Sequence, residues 1–113
     1  DEQRVSDPLN PRLVSNGMGK FNHCFYMPQG GPTPLARRAR QVPRGELVQL
    51  DLPTHMMVAG RQRRLALYRP AAQEPVPLVL VYDGTDYLRR ASLATLVDSL
   101  IAQRRIPHIS INY

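Results

Sequence analysis

The chain has 113 residues, a formal net charge of +6 at pH 7 and one cysteine, Cys24. That length fits one small domain. The lone cysteine excludes an internal disulfide framework, and no apolar run reaches the roughly 18 residues that a membrane-spanning helix needs.

Residues 1–16 are polar and punctuated, with Pro8 and Pro11 in the run Ser-Asp-Pro-Leu-Asn-Pro. X-Pro steps disfavour the helical region, so this stretch reads as loop or extended edge. Gly17 and Gly19 mark a turn, and residues 20–27 read as one strand with Phe21, Cys24 and Tyr26 as its bulk. The adjacent His23 and Cys24 then point to opposite strand faces, which argues against joint metal ligation. The run Pro-Gln-Gly-Gly-Pro-Thr-Pro at 28–34 is the clearest break in the chain. It places a domain boundary there, with a linker over 29–45.

Residues 47–52 alternate, with Val48, Leu50 and Leu52 opposite Gln49 and Asp51. A second alternating run follows at 63–69, and between the two lies a turn signal at Ala59-Gly60. Together they predict an antiparallel hairpin with one solvated face. Residues 78–82, Leu-Val-Leu-Val-Tyr, form an unbroken apolar run stopped by Asp83-Gly84. Five residues are too few for a helix, so the run predicts a strand buried on both faces. Leu93, Leu96, Val97, Leu100 and Ile101 then fall on one helical stripe. Ser92 is its N-cap candidate, and Arg104-Arg105 are expected in its last turn, where positive charge suits the helix dipole. Residues 109–113 return as a strand.

Strand, loop, helix and strand make a βαβ unit, so the fold class is α/β. Its open loop over 83–87 lies at the carboxyl end of the first strand, the edge where ligands bind in such sheets. Two parallel strands and one helix cannot cover both faces of a buried sheet, so the chain reads as a piece of something larger.

Between Leu35 and Arg69 there are eight arginines against two carboxylates, Glu46 and Asp51. Fourteen of the 15 basic residues are arginine, which suits planar, bidentate contact with clustered anionic oxygens. A solvated face, a small-anion site and a nucleic-acid-binding module are the readings of this segment. Tyr68 is its lone aromatic residue, which counts against base stacking. No G-x-S-x-G elbow, phosphate loop or dinucleotide fingerprint occurs. Ser110 and His108 share a strand face, but no acid is placed to orient the histidine. No catalytic serine, acid or histidine can be named in this chain. The chemistry-bearing candidates are Gly84 and Thr85, whose amides could stabilise an oxyanion, with Asp86 and Tyr87 as candidate substrate contacts.

These stretches resemble a family. Arg-Leu-Ala-Leu-Tyr-Arg-Pro at 64–70, Pro-Leu-Val-Leu-Val-Tyr-Asp-Gly at 77–84, Leu-Val-Asp-Ser-Leu-Ile-Ala at 96–102 and Arg-Ile-Pro at 105–107 are similar to the opening of the catalytic domain in enterochelin esterase-like α/β-hydrolases. Asp-Pro-Leu-Asn-Pro at 7–11, Asn-Gly at 16–17 and Met-Pro at 27–28 resemble the close of the immunoglobulin-like domain that precedes it. The resemblance implies that residues 1–28 end a β-sandwich and that 46–113 begin an incomplete α/β-hydrolase domain. It also implies a serine esterase acting on ferric catecholate siderophores or related acyl esters, an anionic small-molecule substrate and a cytoplasmic location. No cofactor or metal is expected. The family's nucleophile elbow, acid and histidine would all follow residue 113, so the 113 residues alone are expected to be inactive. The alternatives are the nucleic-acid-binding module over 35–69 and a non-catalytic structural fragment.

Overall fold

The computed structural model describes residues 6–55 and 62–113. It is mixed α/β, with two open sheets in two units that divide between Pro32 and Thr33.

The first unit holds a two-stranded antiparallel sheet, β1 (Leu13–Ser15) and β2 (Phe21–His23). β1 falls in the stretch read as loop or extended edge, and β2 is shorter than the strand expected over 20–27. The Asn16 side-chain oxygen accepts from the amides of Met18 at 2.9 Å and Lys20 at 3.1 Å, closing the turn between the strands. His23 staples this unit. Its Nδ1 lies 2.7 Å from the Asn10 carbonyl, and its Nε2 lies 3.1 Å from both the Asp7 amide and the Ser6 hydroxyl. The Asp7 amide can only donate and the Asn10 carbonyl can only accept, so Nε2 accepts and Nδ1 donates. His23 is therefore structural, and the Arg12 guanidinium over the Tyr26 ring at 4.8 Å adds a cation–π contact.

The second unit contains a 3₁₀ turn (Pro34–Ala36), β3 (Glu46–Pro53), β4 (Gln62–Arg69), β5 (Leu78–Leu80), α1 (Gly84–Arg89), α2 (Leu93–Ala102) and β6 (Ser110–Asn112). Its four-stranded sheet runs β3-β4-β6-β5. β3 and β4 form the expected antiparallel hairpin, in register Glu46↔Arg69 to Pro53↔Gln62. The turn signal at Ala59-Gly60 lies outside the described residues. β4 is antiparallel to β6, and β5 is parallel to β6. The parallel pair joined through helices is the predicted βαβ crossover.

The core sits where α2 covers one sheet face. Tyr68 and Ile111 are cross-strand partners, so their side chains share that face, and both are buried together with Val97 of α2. Leu93 and Ile101 of the predicted stripe pack against them, and so does Ala94, which lies outside it. The 33–45 stretch, expected as linker, belongs to this unit. Ser99 donates to the Leu35 carbonyl at 2.9 Å, and the Gly45 amide donates to Asp98 at 2.9 Å. A β-carbon at Gly45 would lie 2.5 Å from the Arg69 carbonyl oxygen and against the Tyr68 ring, so the strand entrance tolerates glycine alone.

Three expectations need correction. β5 is not buried on both faces: Leu78 and Leu80 are 57% and 61% exposed. β5 ends the strand order, and Leu50, Leu52, Leu78 and Leu80 all lie exposed on the sheet face opposite Tyr68. The hairpin's apolar side is therefore its open side, because Tyr68 on the other face is what α2 covers. The polypeptide between β5 and β6 carries two helices rather than one. Finally, α2 ends at Ala102, before Arg104-Arg105. Arg104 adopts a left-handed φ of 56°, its amide donates to the Ile101 carbonyl, and that of Arg105 donates to Leu100. This is a Schellman stop with arginine where glycine is usual. Ser92 occupies the N-cap of α2 but is itself left-handed, and its side chain makes no capping bond.

Candidate functional site

The candidate site lies where β5 gives way to α1. Pairing with β6 continues past β5 through the Val81 amide, which donates to the Asn112 carbonyl at 2.8 Å. The chain then turns at Asp83, whose φ of 55° and ψ of 35° are left-handed, a region that aspartate visits more readily than most residues. The turn therefore belongs to Asp83, where the sequence points to Gly84. Gly84 answers a different need: a β-carbon there would lie 2.6 Å from the Tyr113 α-carbon and 2.7 Å from its carbonyl carbon. The start of α1 is pressed against the backbone end of β6, and only glycine allows that approach.

The loop expected over 83–87 is mostly helix. Gly84 and Thr85 are the first two residues of α1, so their amides precede any intrahelical acceptor. Among the described residues neither amide has a hydrogen-bond partner, whereas the Asp86 amide donates to the Asp83 carbonyl at 2.9 Å. Gly84, Thr85 and Asp86 all line a groove of about 1280 Å³, and Tyr87 does not. The Asp86 carboxylate is 3.0 Å from Arg90, one helical turn on, which draws it into an ion pair.

The other wall of the groove comes from the hairpin and from the segment after the 3₁₀ turn, and it includes Arg38, Arg63 and Arg64. Arg64 is paired with Asp51 at 3.3 Å, and Arg69, outside the groove, with Glu46 at 2.5 Å. Ser110 and His108 share no hydrogen bond among the described residues. His108 lies instead beside Arg104, Arg105 and Pro107. Among the described residues no group of three or more His, Cys, Asp or Glu side chains could hold a metal ion, and no helix is long and apolar enough to cross a membrane.

No protein-family model matches the sequence, and no curated protein matches it.

Beneath the candidate site lies a polar cluster with no sequence signal of its own. Asp98 of α2 accepts from the Tyr68 hydroxyl at 2.7 Å and from the Gly45 amide at 2.9 Å through the same oxygen. Burial, and next the hydrogen bond to Asp98, push the Tyr68 phenol well above its usual pKa. Burial, and next the Asp98 charge, push Tyr113 up to about 12. The Tyr113 hydroxyl and the Asn112 side-chain oxygen are both buried with no hydrogen-bond partner among the described residues.

A phenol whose folded pKa lies above the unfolded value of about 10 releases its proton first from the unfolded chain. Its contribution to stability is complete below pH 10 and is lost as pH rises toward the folded value. Stability should therefore fall above about pH 10, by about 1.4 kcal/mol per pH unit for each of the two tyrosines. Tyr113→Phe removes one of them, together with an unpartnered hydroxyl. Urea unfolding should show this variant at least as stable as the wild type near neutral pH, and falling about half as steeply above pH 10.

Proposed function

We propose that the chain forms the opening of the catalytic domain of an enterochelin esterase-like serine hydrolase, behind the close of an immunoglobulin-like domain. The complete protein would cut ester bonds in ferric catecholate siderophores or related acyl esters. The observation that carries this reading is the sheet. An antiparallel hairpin, then a parallel pair crossed over by helices, in the order β3-β4-β6-β5, is the order expected at the front of an α/β-hydrolase sheet. The open apolar face and the exposed edge of β5 suit a sheet that continues.

On this reading Gly84 and Thr85 supply the oxyanion-hole amide that comes from the turn between the third strand and the first helix of such enzymes. Their unbonded amides at the carboxyl end of β5 would stabilise negative charge developing on the substrate carbonyl oxygen. The nucleophile, its base and its acid are not supplied by the described residues. The 113-residue chain should therefore not turn over an activated ester, while a natural polypeptide that carries it should hydrolyse siderophore esters. Turnover by the chain alone that disappears in Ser110→Ala would contradict the reading and point to Ser110 and His108.

The nucleic-acid reading of the 35–69 segment gains little from the fold. Arg64 and Arg69 are committed to Asp51 and Glu46, which breaks the run of positive charge.

A further inference from the structure

The outer edge of β5 is open, and its backbone fixes what can fill it. The Ser110 amide donates to the Pro77 carbonyl at 2.9 Å, and the Val81 amide donates to the Asn112 carbonyl at 2.8 Å. Pro77 and Val81 therefore turn their backbone groups toward β6. Alternation along a strand puts Val79 with them and turns the amides and carbonyls of Leu78 and Leu80 away from the sheet. β5 ends the strand order, and no described strand pairs with its outer side. Leu78 and Leu80 are more than half exposed, and Tyr82 just beyond them is 86% exposed.

Edge strands are ordinarily guarded against further pairing by a charge, a bulge, or a proline that withholds an amide. β5 has none of these on its open side. Residues 76–82 carry no charge, and the register with β6 is unbroken from Leu78 to Leu80. Pro77 faces inward, so the amide it lacks is not one of the outward set. The outward positions are leucines with free amides.

We infer that the chain pairs with a second copy of itself through β5. The two strands run antiparallel about a two-fold axis at Val79, with Leu78 of each copy opposite Leu80 of the other. Both residues of such a pair point amide and carbonyl outward, so they exchange hydrogen bonds in both directions. A second copy is self-complementary here: its strand matches in length, lacks charge and carries leucine at the facing positions. The same register sets Glu74 opposite Gly84 and Asp83 opposite Pro75, so no carboxylate meets another. The leucine side chains, on the sheet face away from Tyr68, pack across the new strand pair. Pairing uses the open edge of both copies, so association through it stops at the dimer. Each copy has a net charge of +6, which opposes association and is screened by salt, so pairing tightens as salt rises. The inference needs only the edge and is independent of the esterase reading.

The test is light scattering of the full 113-residue chain over a range of concentrations, with hydrogen exchange read at each amide. The expected result is a monomer–dimer equilibrium in which the Leu78 and Leu80 amides gain about tenfold or more protection in the dimer. Leu80→Pro removes an outward amide while leaving the bonds to β6 in place. Leu78→Lys changes only an exposed side chain, so it serves even if the proline variant fails to fold. Each should weaken dimerisation by about tenfold or more. Leu50→Lys, on the same sheet face but away from this edge, and Leu9→Lys, at an exposed position of the first unit, should dimerise as the wild type does. A chain that stays monomeric even at millimolar concentration, or a dimer that survives both β5 replacements, overturns the inference. So does a dimer abolished by Leu50→Lys, which would place the contact on the open face rather than at the edge.

Discussion

Asp98→Ala should destabilise the second unit by about 2–6 kcal/mol, because it strands two donors at once. The Tyr68 hydroxyl and the Gly45 amide both give their hydrogen bonds to Asp98 Oδ1, and Tyr68 is 1% exposed. Each buried donor left without an acceptor costs about 1–3 kcal/mol, which is large against the 5–15 kcal/mol that holds a typical domain together. Asp98→Asn retains an acceptor oxygen and should cost less. In the Tyr68→Phe background one of the two donors is already gone, so Asp98→Ala should cost less there than in the wild type. Urea unfolding of the four combinations measures this. Equal costs in both backgrounds would show that the hydroxyl bond contributes nothing.

Gly84→Ala should also destabilise the fold, by about 1–3 kcal/mol. The added methyl would meet the Tyr113 backbone at 2.6 Å, and a strand backbone cannot turn aside as a side chain can. Relief requires the start of α1 to lift from the end of β6, which also displaces the Thr85 amide from the groove. Thermal unfolding should report the loss in the chain itself. A Gly84→Ala protein with wild-type stability would mean that α1 is not seated on β6 as described. This substitution is a poor probe of catalysis because stability and amide position fail together.

Much of the second unit was legible in the sequence. Strict alternation over 47–52 and 63–69 gave the hairpin, and the stripe from Leu93 to Ile101 gave α2 and the face it buries. The unbroken run at 78–82 gave a strand, and its parallel partner followed from the intervening helix. The same run misled about burial, because continuous apolarity reports the cover a strand requires and not the neighbours it has. α1 carries no readable signal, since six residues opening with Gly-Thr-Asp have weak helix propensity and too little length for a periodic pattern. Glycine is the residue that most readily adopts a left-handed turn, yet Asp83 adopts it here and frees Gly84 for close packing. At the candidate site, the strand-to-helix position alone points to Gly84, Thr85, Asp86 and Tyr87, of which the first three line one groove and Tyr87 does not. Asp98 carried no signal: beside a helical stripe, a solvated carboxylate and one holding a buried tyrosine look alike.

On the proposed reading, the turn after β5 presents an oxyanion-stabilising amide in an esterase. The most direct measurement compares hydrolysis of a ferric catecholate siderophore ester by the natural polypeptide that carries this sequence with hydrolysis by its Thr85→Pro variant. Proline is tolerated in the first turn of a helix, so the replacement removes an amide proton while α1 persists. The wild type should hydrolyse the ester, and the folded variant should lose about a hundredfold or more in kcat, with KM little changed. A wild type without hydrolysis, or a folded Thr85→Pro protein with undiminished kcat, would contradict it.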